Sequence, residues 1–298
     1  MIEEVFGVID IGSNSVRLML WQNGKTLEKS VRTTRLSEGM MDNILVSEPI
    51  ERTIKAVVEL CNKANDFGVK KIYIFATEAV RKATNKQVLL NLIKKQCNLD
   101  VDVVKGEEEA DLALMGALQD KDGGVIDIGG ASSEIAFSKN GVKIYSKSVD
   151  IGAGRLTDMF NENTESLSYF LKDKILEYGN IPLGDFVCVG GTATSYAAMV
   201  QQLEVYDVNK VDGFRLTYND VKSITNSILS KSIEERYNIK GLHPSRVKII
   251  ATGGIILLSI MKACKIDHVV VSEKDNLEGY IIKKLRNGNV NGLNLEKK

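Results

Sequence analysis

Histidine is nearly missing from this chain: His243 and His268 are the only two among 298 residues. A histidine-built zinc site or a histidine proton relay is therefore not expected. Cysteine is sparse as well. Cys61, Cys97, Cys188 and Cys264 stand far apart, form no Cys-x-x-Cys pair, and each falls in an apolar-periodic segment. Buried thiols are the expectation, not a zinc knuckle or a redox pair. Net charge is absent, since 39 Lys and Arg balance 39 Asp and Glu. No overall field then points to nucleic acid or a membrane surface, and a long polyanion would need a local basic track. Long apolar runs are lacking too: the longest, Ile249 to Met261, is interrupted by Thr252-Gly253-Gly254 and is too short to span a bilayer. The acidic start Met1-Ile2-Glu3-Glu4 leads straight into a strand, unlike a signal peptide. Nothing fits a P-loop, a Gly-x-Ser-x-Gly elbow or a zinc motif. Together these absences predict a reduced, cytoplasmic protein with neither a nucleic-acid nor a membrane partner.

What is present is ordinary globular material, 44% hydrophobic and 26% charged, long enough for two domains or one large one. The chain is organised around Val8-Ile9-Asp10-Ile11-Gly12-Ser13-Asn14-Ser15-Val16-Arg17-Leu18. An apolar run ends at an acid, a glycine and three small polar residues follow, and a second apolar run begins, which reads as strand, tight turn, strand. Asn23-Gly24 then marks a two-residue hairpin, and Thr26 to Thr33 returns as a third strand. Ser47-Glu48-Pro49 reads as a helix start, with Ser47 as cap. Apolar residues at Ile50, Ile54, Val57, Val58, Cys61 and Ala64 follow at helical period, and Gly68 ends that helix. Lys71 to Ala76 alternates as a strand, Asn85 is expected to cap a helix, Val101 to Val104 is a short strand, and Glu107 to Leu118 is a helix.

The opening pattern then recurs as Gly124-Val125-Ile126-Asp127-Ile128-Gly129-Gly130-Ala131-Ser132-Ser133-Glu134. The echo is in register. Asn140-Gly141 lies as far after Asp127 as Asn23-Gly24 lies after Asp10, and each hairpin returns through a Lys-Ser-Val. The expected architecture is α/β with a duplicated βββαβαβα domain, residues 1–121 and 122–298, and a site in the cleft between the two. The last helix is a candidate for packing back on the first domain. Later expectations are a helix from Arg155, one capped by Ser166, and a strand Asp185 to Val189 running into a helix at Gly190-Gly191-Thr192. Beyond them come a capped helix Thr217 to Ser230, a helix opened by His243-Pro244-Ser245-Arg246 that stops at Thr252-Gly253-Gly254, and a strand Asp267 to Val271. A closing helix Leu277 to Leu285 precedes a frayed tail from Asn287.

Both turns offer backbone N–H groups, small hydroxyls and one acid, which suits a phosphate and a metal-bound water. Facing each other, Asp10 and Asp127 could hold a phosphoanhydride and a hard cation such as Mg²⁺; the plain alternative is that both acids cap turns. Glu107-Glu108-Glu109 opens a helix, where acids are favoured anyway, yet one of them is a candidate base for water. Glu134 lies on a strand beyond the second turn, either exposed or aimed at the same cleft. Arg81, at the carboxyl end of a strand, can clamp a phosphate or form a surface ion pair. Gly190-Gly191-Thr192 and Thr252-Gly253-Gly254 could cradle phosphate or simply pack tightly.

Taken in order, Asp10-Ile11-Gly12-Ser13-Asn14-Ser15, Ala76-Thr77-Glu78-Ala79-Val80-Arg81, Gly106-Glu107-Glu108-Glu109-Ala110, Asp127 to Glu134, Ile151-Gly152-Ala153-Gly154-Arg155-Leu156, Val189-Gly190-Gly191-Thr192-Ala193 and Pro244-Ser245-Arg246 resemble one family. It is the exopolyphosphatase / guanosine-pentaphosphate phosphatase family of the actin-like, ribonuclease H-like superfamily. The resemblance covers nearly the whole chain. It implies release of terminal orthophosphate from inorganic polyphosphate or guanosine pentaphosphate with Mg²⁺. In that reading Glu109 activates the water, Asp127 and Glu134 position metal and water with Asp10 as a further metal ligand, and Arg81 neutralises the transferred group. Gly12, Ser13, Asn14, Gly129, Gly130, Ala131, Ser132, Gly190, Gly191 and Thr192 hold the phosphates. Departures are Ala131 and Ser133 for the family's usual Gly and Thr, and Leu277 where an Arg is common. The chain also stops where longer relatives add a helical domain, which implies a short form.

Two other readings stay open on the sequence alone: a kinase of the same superfamily, and a non-catalytic polyphosphate or nucleotide sensor. The sequence leaves chain-length preference and a homodimeric state open. Closure of the two halves on ligand is expected from a site at a domain interface.

Overall fold

The computed structural model describes residues 4–119, 121–161 and 163–287; the expected tail beyond 287 lies outside them. In chain order the elements are β1 (Phe6–Ile11), β2 (Ser15–Gln22), β3 (Lys25–Thr33), α1 (Ser47–Asp66), β4 (Lys71–Ala76), α2 (Glu78–Lys82), α3 (Lys86–Cys97), β5 (Val101–Val103) and α4 (Gly106–Leu118). They continue with β6 (Gly123–Ile128), β7 (Ser133–Lys139), β8 (Val142–Val149), α5 (Ala153–Phe160), α6 (Thr164–Leu176), β9 (Phe186–Val189), α7 (Gly190–Val200), α8 (Val208–Val211) and β10 (Arg215–Thr217). The last are α9 (Tyr218–Leu229), α10 (Ile233–Arg236), a 3-10 turn (Pro244–Arg246), α11 (Ile250–Cys264), β11 (His268–Val271) and α12 (Asn276–Asn287).

The duplication is real. Among the described residues, one sheet has the order β3-β2-β1-β4-β5 and the other β10-β11-β9-β6-β7-β8. Matching β1 with β6, β2 with β7, β3 with β8, β4 with β9 and β5 with β11 superimposes the two orders, with β10 added at one edge. In each sheet the first pairing is antiparallel and the crossover pairing parallel. The Asn-Gly hairpins have positive φ at both central residues, 49° and 81° at Asn23-Gly24, 53° and 70° at Asn140-Gly141. That is the twist-matching turn those dipeptides favour.

Alternation along the strands sorts side chains onto two buried faces. In the first sheet Ile9, Ile11, Ile72, Ile74 and Ala76 meet Ile54, Val57, Leu60 and Ala64 of α1 and Leu89 and Ile93 of α3. The opposite face carries Phe6, Tyr73 and Phe75, and Tyr280 of α12 stacks on Phe75 at 4.5 Å between ring centroids. Glu278 of α12 accepts hydrogen bonds from Thr26 (2.8 Å) and Lys29 (3.1 Å), and Asp102 accepts from Tyr280 and Lys284. In the second sheet Ile126, Ile128, Ile135 and Phe137 form one face of the large core, while Val125, Ala136 and Val189 pack against Ala110, Ala113 and Leu114 of α4.

The helices α4 and α12 have therefore changed owners. Each follows the last crossover strand of one repeat and covers the sheet of the other. The compact units are accordingly residues 1–105 with 277–298, and residues 106–276, where the sequence suggested 1–121 and 122–298. Leu277, where the resemblance leads one to expect arginine, is wholly buried.

Several local expectations are corrected. Helix α11 begins at Ile250 and runs through Gly253 and Gly254 instead of stopping there. A Cβ on Gly254 would lie 1.8 Å from the Tyr196 hydroxyl and one on Gly253 2.7 Å from Thr192 Oγ1, so these glycines admit α7 against α11. Asn85 stands at the N-cap position of α3, but its side chain makes no cap hydrogen bond; its amide closes a pair of 2.9 Å hydrogen bonds with the backbone N–H and C=O of Leu45. Val46, not Ser47, precedes α1, and Asn163 caps α6 by accepting from Ser166 N. Helix α5 starts at Ala153, two residues before Arg155. The short elements α2, α8, β10 and α10 were too brief for a periodic signal.

Candidate active site

In the first unit β1 ends at the turn where Gly12 N donates to Ser15 O at 3.0 Å. Asp10 is buried, and its Oδ2 accepts from Arg17 Nε (3.0 Å) and Nη2 (2.6 Å) across the β1–β2 pair. Its charge is thus already balanced by a cation of its own hairpin. Arg81, half-buried on α2, donates from Nη1 to Val104 O at 3.0 Å, tying α2 to the strand end that leads into α4. Ser13 is buried with its carbonyl accepting from Ser37 N.

In the second unit the same turn repeats atom for atom: Gly129 N donates to Ser132 O at 2.9 Å. The start of α5 backs it, with Ala153 N donating to Gly129 O and Arg155 N to Gly130 O, both 2.9 Å. Gly152 is obligatory here, because a Cβ would lie 2.3 Å from the Ala131 backbone. Ser133 does not face outward; its hydroxyl donates to Ile151 O.

Asp127 and Glu134 are directly paired in the β6–β7 register and lie on the face that α4 covers. Glu109, in the first turn of α4, is buried toward that face, whereas Glu108 is half-exposed and Glu107 exposed. Glu134 is 1% exposed. Burial pushes its carboxyl well above the usual carboxylate range, and the Glu109 and Asp127 charges push the same way, while the Ser148 and Ser132 hydroxyls oppose. Ser148, its partner in the β7–β8 register, donates to Oε1 at 2.7 Å.

Around Asp127 stand two residues from distant parts of the unit. Gly190, at φ 81°, faces Oδ1: a Cβ there would be 2.7 Å away. Asn276 Nδ2 donates to Oδ2 at 2.9 Å. Next to Gly190, the Arg246 guanidinium lies over Gly191, since a Cβ on that glycine would come within 1.6 Å of it. Thr192 is buried in the contact between α7 and α11, a packing position.

The structure thus gathers Glu109, Asp127, Glu134 and Gly190 within the second unit and leaves Thr192 to packing. Ser148, Asn276 and Arg246 were not singled out as site residues. Ser148 was within reach, because the Lys-Ser-Val echo places it opposite Glu134. Arg246 was noted only as part of Pro-Ser-Arg, and no local pattern marks Asn276.

Among the described residues, no group of three His, Cys, Asp or Glu side chains is gathered closely enough to hold a metal unaided. Mg²⁺ does not require one; it binds through one or two carboxylates and completes its shell with water and phosphate oxygens. The second unit fits that demand. Glu134 Oε2 is buried and accepts no hydrogen bond, and the missing Cβ of Gly190 keeps side-chain carbon away from Asp127 Oδ1.

Two sheets of this order, each opening with a strand, an Asp-Ile-Gly turn and an antiparallel return, are the actin-like α/β arrangement. The chain belongs to the Ppx/GppA phosphatase family, whose profile matches residues 21–287. It is 30% identical over 310 residues to a bifunctional 3-dehydroquinate synthase/phosphatase of Fusobacterium nucleatum, covering 94% of this chain and 46% of that protein. It is 25% identical to exopolyphosphatase 2 of Mycobacterium tuberculosis (92% of this chain, 96% of that one). Against the guanosine-5'-triphosphate,3'-diphosphate pyrophosphatase of Photobacterium profundum it is 24% identical, covering 94% and 59%. The chain therefore spans about half of the first and three fifths of the last. The crystal structure of the Aquifex aeolicus Ppx/GppA family member matches with TM-score 0.79 and 29% identity over 96% of this chain and 99% of that one. No helix of the described residues is long and apolar enough to cross a membrane.

Proposed function

We propose that this protein is a phosphoanhydride hydrolase that releases terminal orthophosphate from inorganic polyphosphate or guanosine pentaphosphate with a divalent cation, Mg²⁺ first among them, in the cytoplasm. The observation that carries this reading is the convergence of Glu109, Asp127 and Glu134 on one buried face beside the Gly129–Ser132 turn. The Glu109 and Asp127 charges both oppose ionisation of Glu134, a repulsion that a bound cation or a proton relieves. That arrangement is costly for stability and useful for binding a cation.

In this proposal Asp127 and Glu134 hold the cation, and the turn residues Gly129, Gly130, Ala131 and Ser132 supply amide and hydroxyl donors to phosphate oxygens. A bound Mg²⁺ neutralises phosphate charge and polarises the phosphorus–oxygen bonds. Glu109 accepts the proton of the attacking water. It suits that role better than Glu108, because it is the one buried toward Glu134. Asp10 is left out of the cation's shell in this reading, since Arg17 occupies its Oδ2. The turn Gly12-Ser13-Asn14 supplies phosphate donors of the same kind as its echo, and Arg81 the positive charge for the transferred group.

Phosphate release from polyphosphate, guanosine pentaphosphate and ATP, each with Mg²⁺ and with chelator, tests the proposal. Mg²⁺-dependent release from one of the first two, exceeding that from ATP, is expected. No release from any of them overturns the assignment of activity.

A further inference from the structure

The acid of each hairpin belongs to a row of residues paired across its sheet. In the second sheet the row is Val189, Asp127, Glu134 and Ser148, across β9, β6, β7 and β8. In the first sheet it is Phe75, Asp10, Arg17 and Val31, across β4, β1, β2 and β3. Residues directly opposite one another share a face of the sheet and touch. The two rows change together at their outer positions. Beside Arg17 the outer strand supplies Val31, an exposed apolar side chain. Beside Glu134 it supplies a hydroxyl, and Ser148 Oγ donates to Glu134 Oε1 at 2.7 Å.

The strand itself does not call for serine there. Valine is the better strand former, and the first sheet carries it. What the hydroxyl adds is a donor to a carboxyl that is 1% exposed. Among the described residues the other oxygen, Oε2, is buried and accepts no hydrogen bond. The Ser132 hydroxyl also favours the charged form of Glu134, but Ser132 lies in the turn assigned to phosphate above, whereas Ser148 acts from outside that turn. The same strand steadies the neighbouring helix. Ser146, two residues earlier and on the same face, has its Oγ 3.2 Å from both Glu107 O and Asp111 Oδ1 in α4. Two hydroxyls of β8 thus hold the helix that carries Glu109 and the carboxyl of Glu134.

A glutamate side chain is long and flexible, and the Glu109 and Asp127 charges both bear on this one. A neutral donor on one oxygen restricts the carboxyl and leaves its negative charge in place, which an arginine at the same position would offset. We infer that Ser148 is a positioning residue: its hydroxyl holds Glu134 Oε1 and leaves the buried Oε2 to a divalent cation. Outer partners that orient metal-binding groups are typically worth about 10–100-fold in metal affinity. The inference rests on the cation role proposed for Glu134 above and adds to it a residue of the outer strand.

The test is Mn²⁺ titration of the full chain without substrate, followed through the electron paramagnetic resonance signal of free Mn²⁺. Wild type is compared with Ser148→Thr and Ser148→Val, which have nearly the same shape and differ in the hydroxyl, and with Ser148→Ala. Thermal unfolding shows which variants fold, and the alanine variant takes the place of valine where valine does not. Mn²⁺ binding is expected to weaken about tenfold or more in the valine and alanine variants and to stay within about threefold of wild type in the threonine variant. Phosphate release by the valine variant should fall at low Mg²⁺ and recover as Mg²⁺ is raised, a rescue that mere loss of packing does not give. Equal Mn²⁺ affinity in the folded variants with and without the hydroxyl overturns the inference and leaves the cation role of Glu134 standing. No saturable Mn²⁺ binding by wild type overturns that role and the inference with it.

Discussion

Asp127 and Glu134 face each other across β6 and β7 at the register that Asp10 and Arg17 occupy across β1 and β2. One hairpin carries an acid with a cation, its duplicate an acid with an acid. The first is an ion pair; in the second, Asn276 donates to Asp127 and Ser148 to Glu134. The two hairpins share their backbone and differ in the charge that faces the aspartate.

Replacing Glu109 by Gln should lower phosphate release by about 10²–10⁴-fold, the usual worth of a general base, with substrate binding retained. Glu108→Gln, at a half-exposed position on the same turn, should stay within a few-fold of wild type. Steady-state kinetics on the preferred substrate, together with equilibrium binding of that substrate to the Glu109→Gln variant, check both outcomes. Equal losses in the two variants would remove Glu109 as the base.

The raised Glu134 carboxyl makes stability depend on pH. The folded protein holds this proton more tightly than the unfolded chain does. Its stabilising contribution is therefore fully present below the ordinary carboxylate range and is lost as pH rises toward the elevated folded value. With chelator present, Glu134→Gln should melt higher than wild type at pH 8, and the difference should shrink toward pH 5. Each kcal/mol relieved is worth about 2–4 °C in a protein of this size class. Differential scanning fluorimetry across pH measures it, and a variant less stable than wild type at pH 8 would contradict the account.

Gly254→Ala should destabilise the second unit by about 1–3 kcal/mol or more, the cost of overpacking a tight core. The added methyl meets the Tyr196 hydroxyl and Thr225 Oγ1. Tyr196→Phe in the same background should recover part of the loss by removing the nearest atom. Urea denaturation of the single and double variants follows both steps.

Tyr280→Ala should cost about 3–5 kcal/mol, the range for truncating a buried aromatic, because the ring stacks on Phe75 and is 3% exposed. Tyr280→Phe keeps the stacking and removes only the hydrogen bond to Asp102, so about 1 kcal/mol is expected. Chemical denaturation separates the two. A negligible effect of Tyr280→Ala would mean that α12 does not hold the first sheet.

Much of this fold is legible locally. The Asn-Gly hairpins, the alternation of Ile72, Ile74 and Ala76, and the in-register repeat of the Asp-Ile-Gly turn all appear in the structure as read. Capping was less legible. Asn85 and Ser166 have the right chemistry for a cap, but one pins a loop and the other is the residue capped. Gly253-Gly254 looked like a helix stop, because a sequence shows what a glycine permits and not which neighbour requires it.

The sequence by itself determined the two hairpins, their acids and the duplication, since strand period and turn chemistry act over a few residues. It also placed Glu109, Asp127 and Glu134 on the list of candidates. Only the tertiary structure decided that α4 and α12 cover each other's sheets, that Glu109 is buried where Glu108 is not, and that Asn276 donates to Asp127. Those outcomes depend on which surfaces bury together and on contacts between residues as far as 252 positions apart, and no local pattern encodes such a pairing.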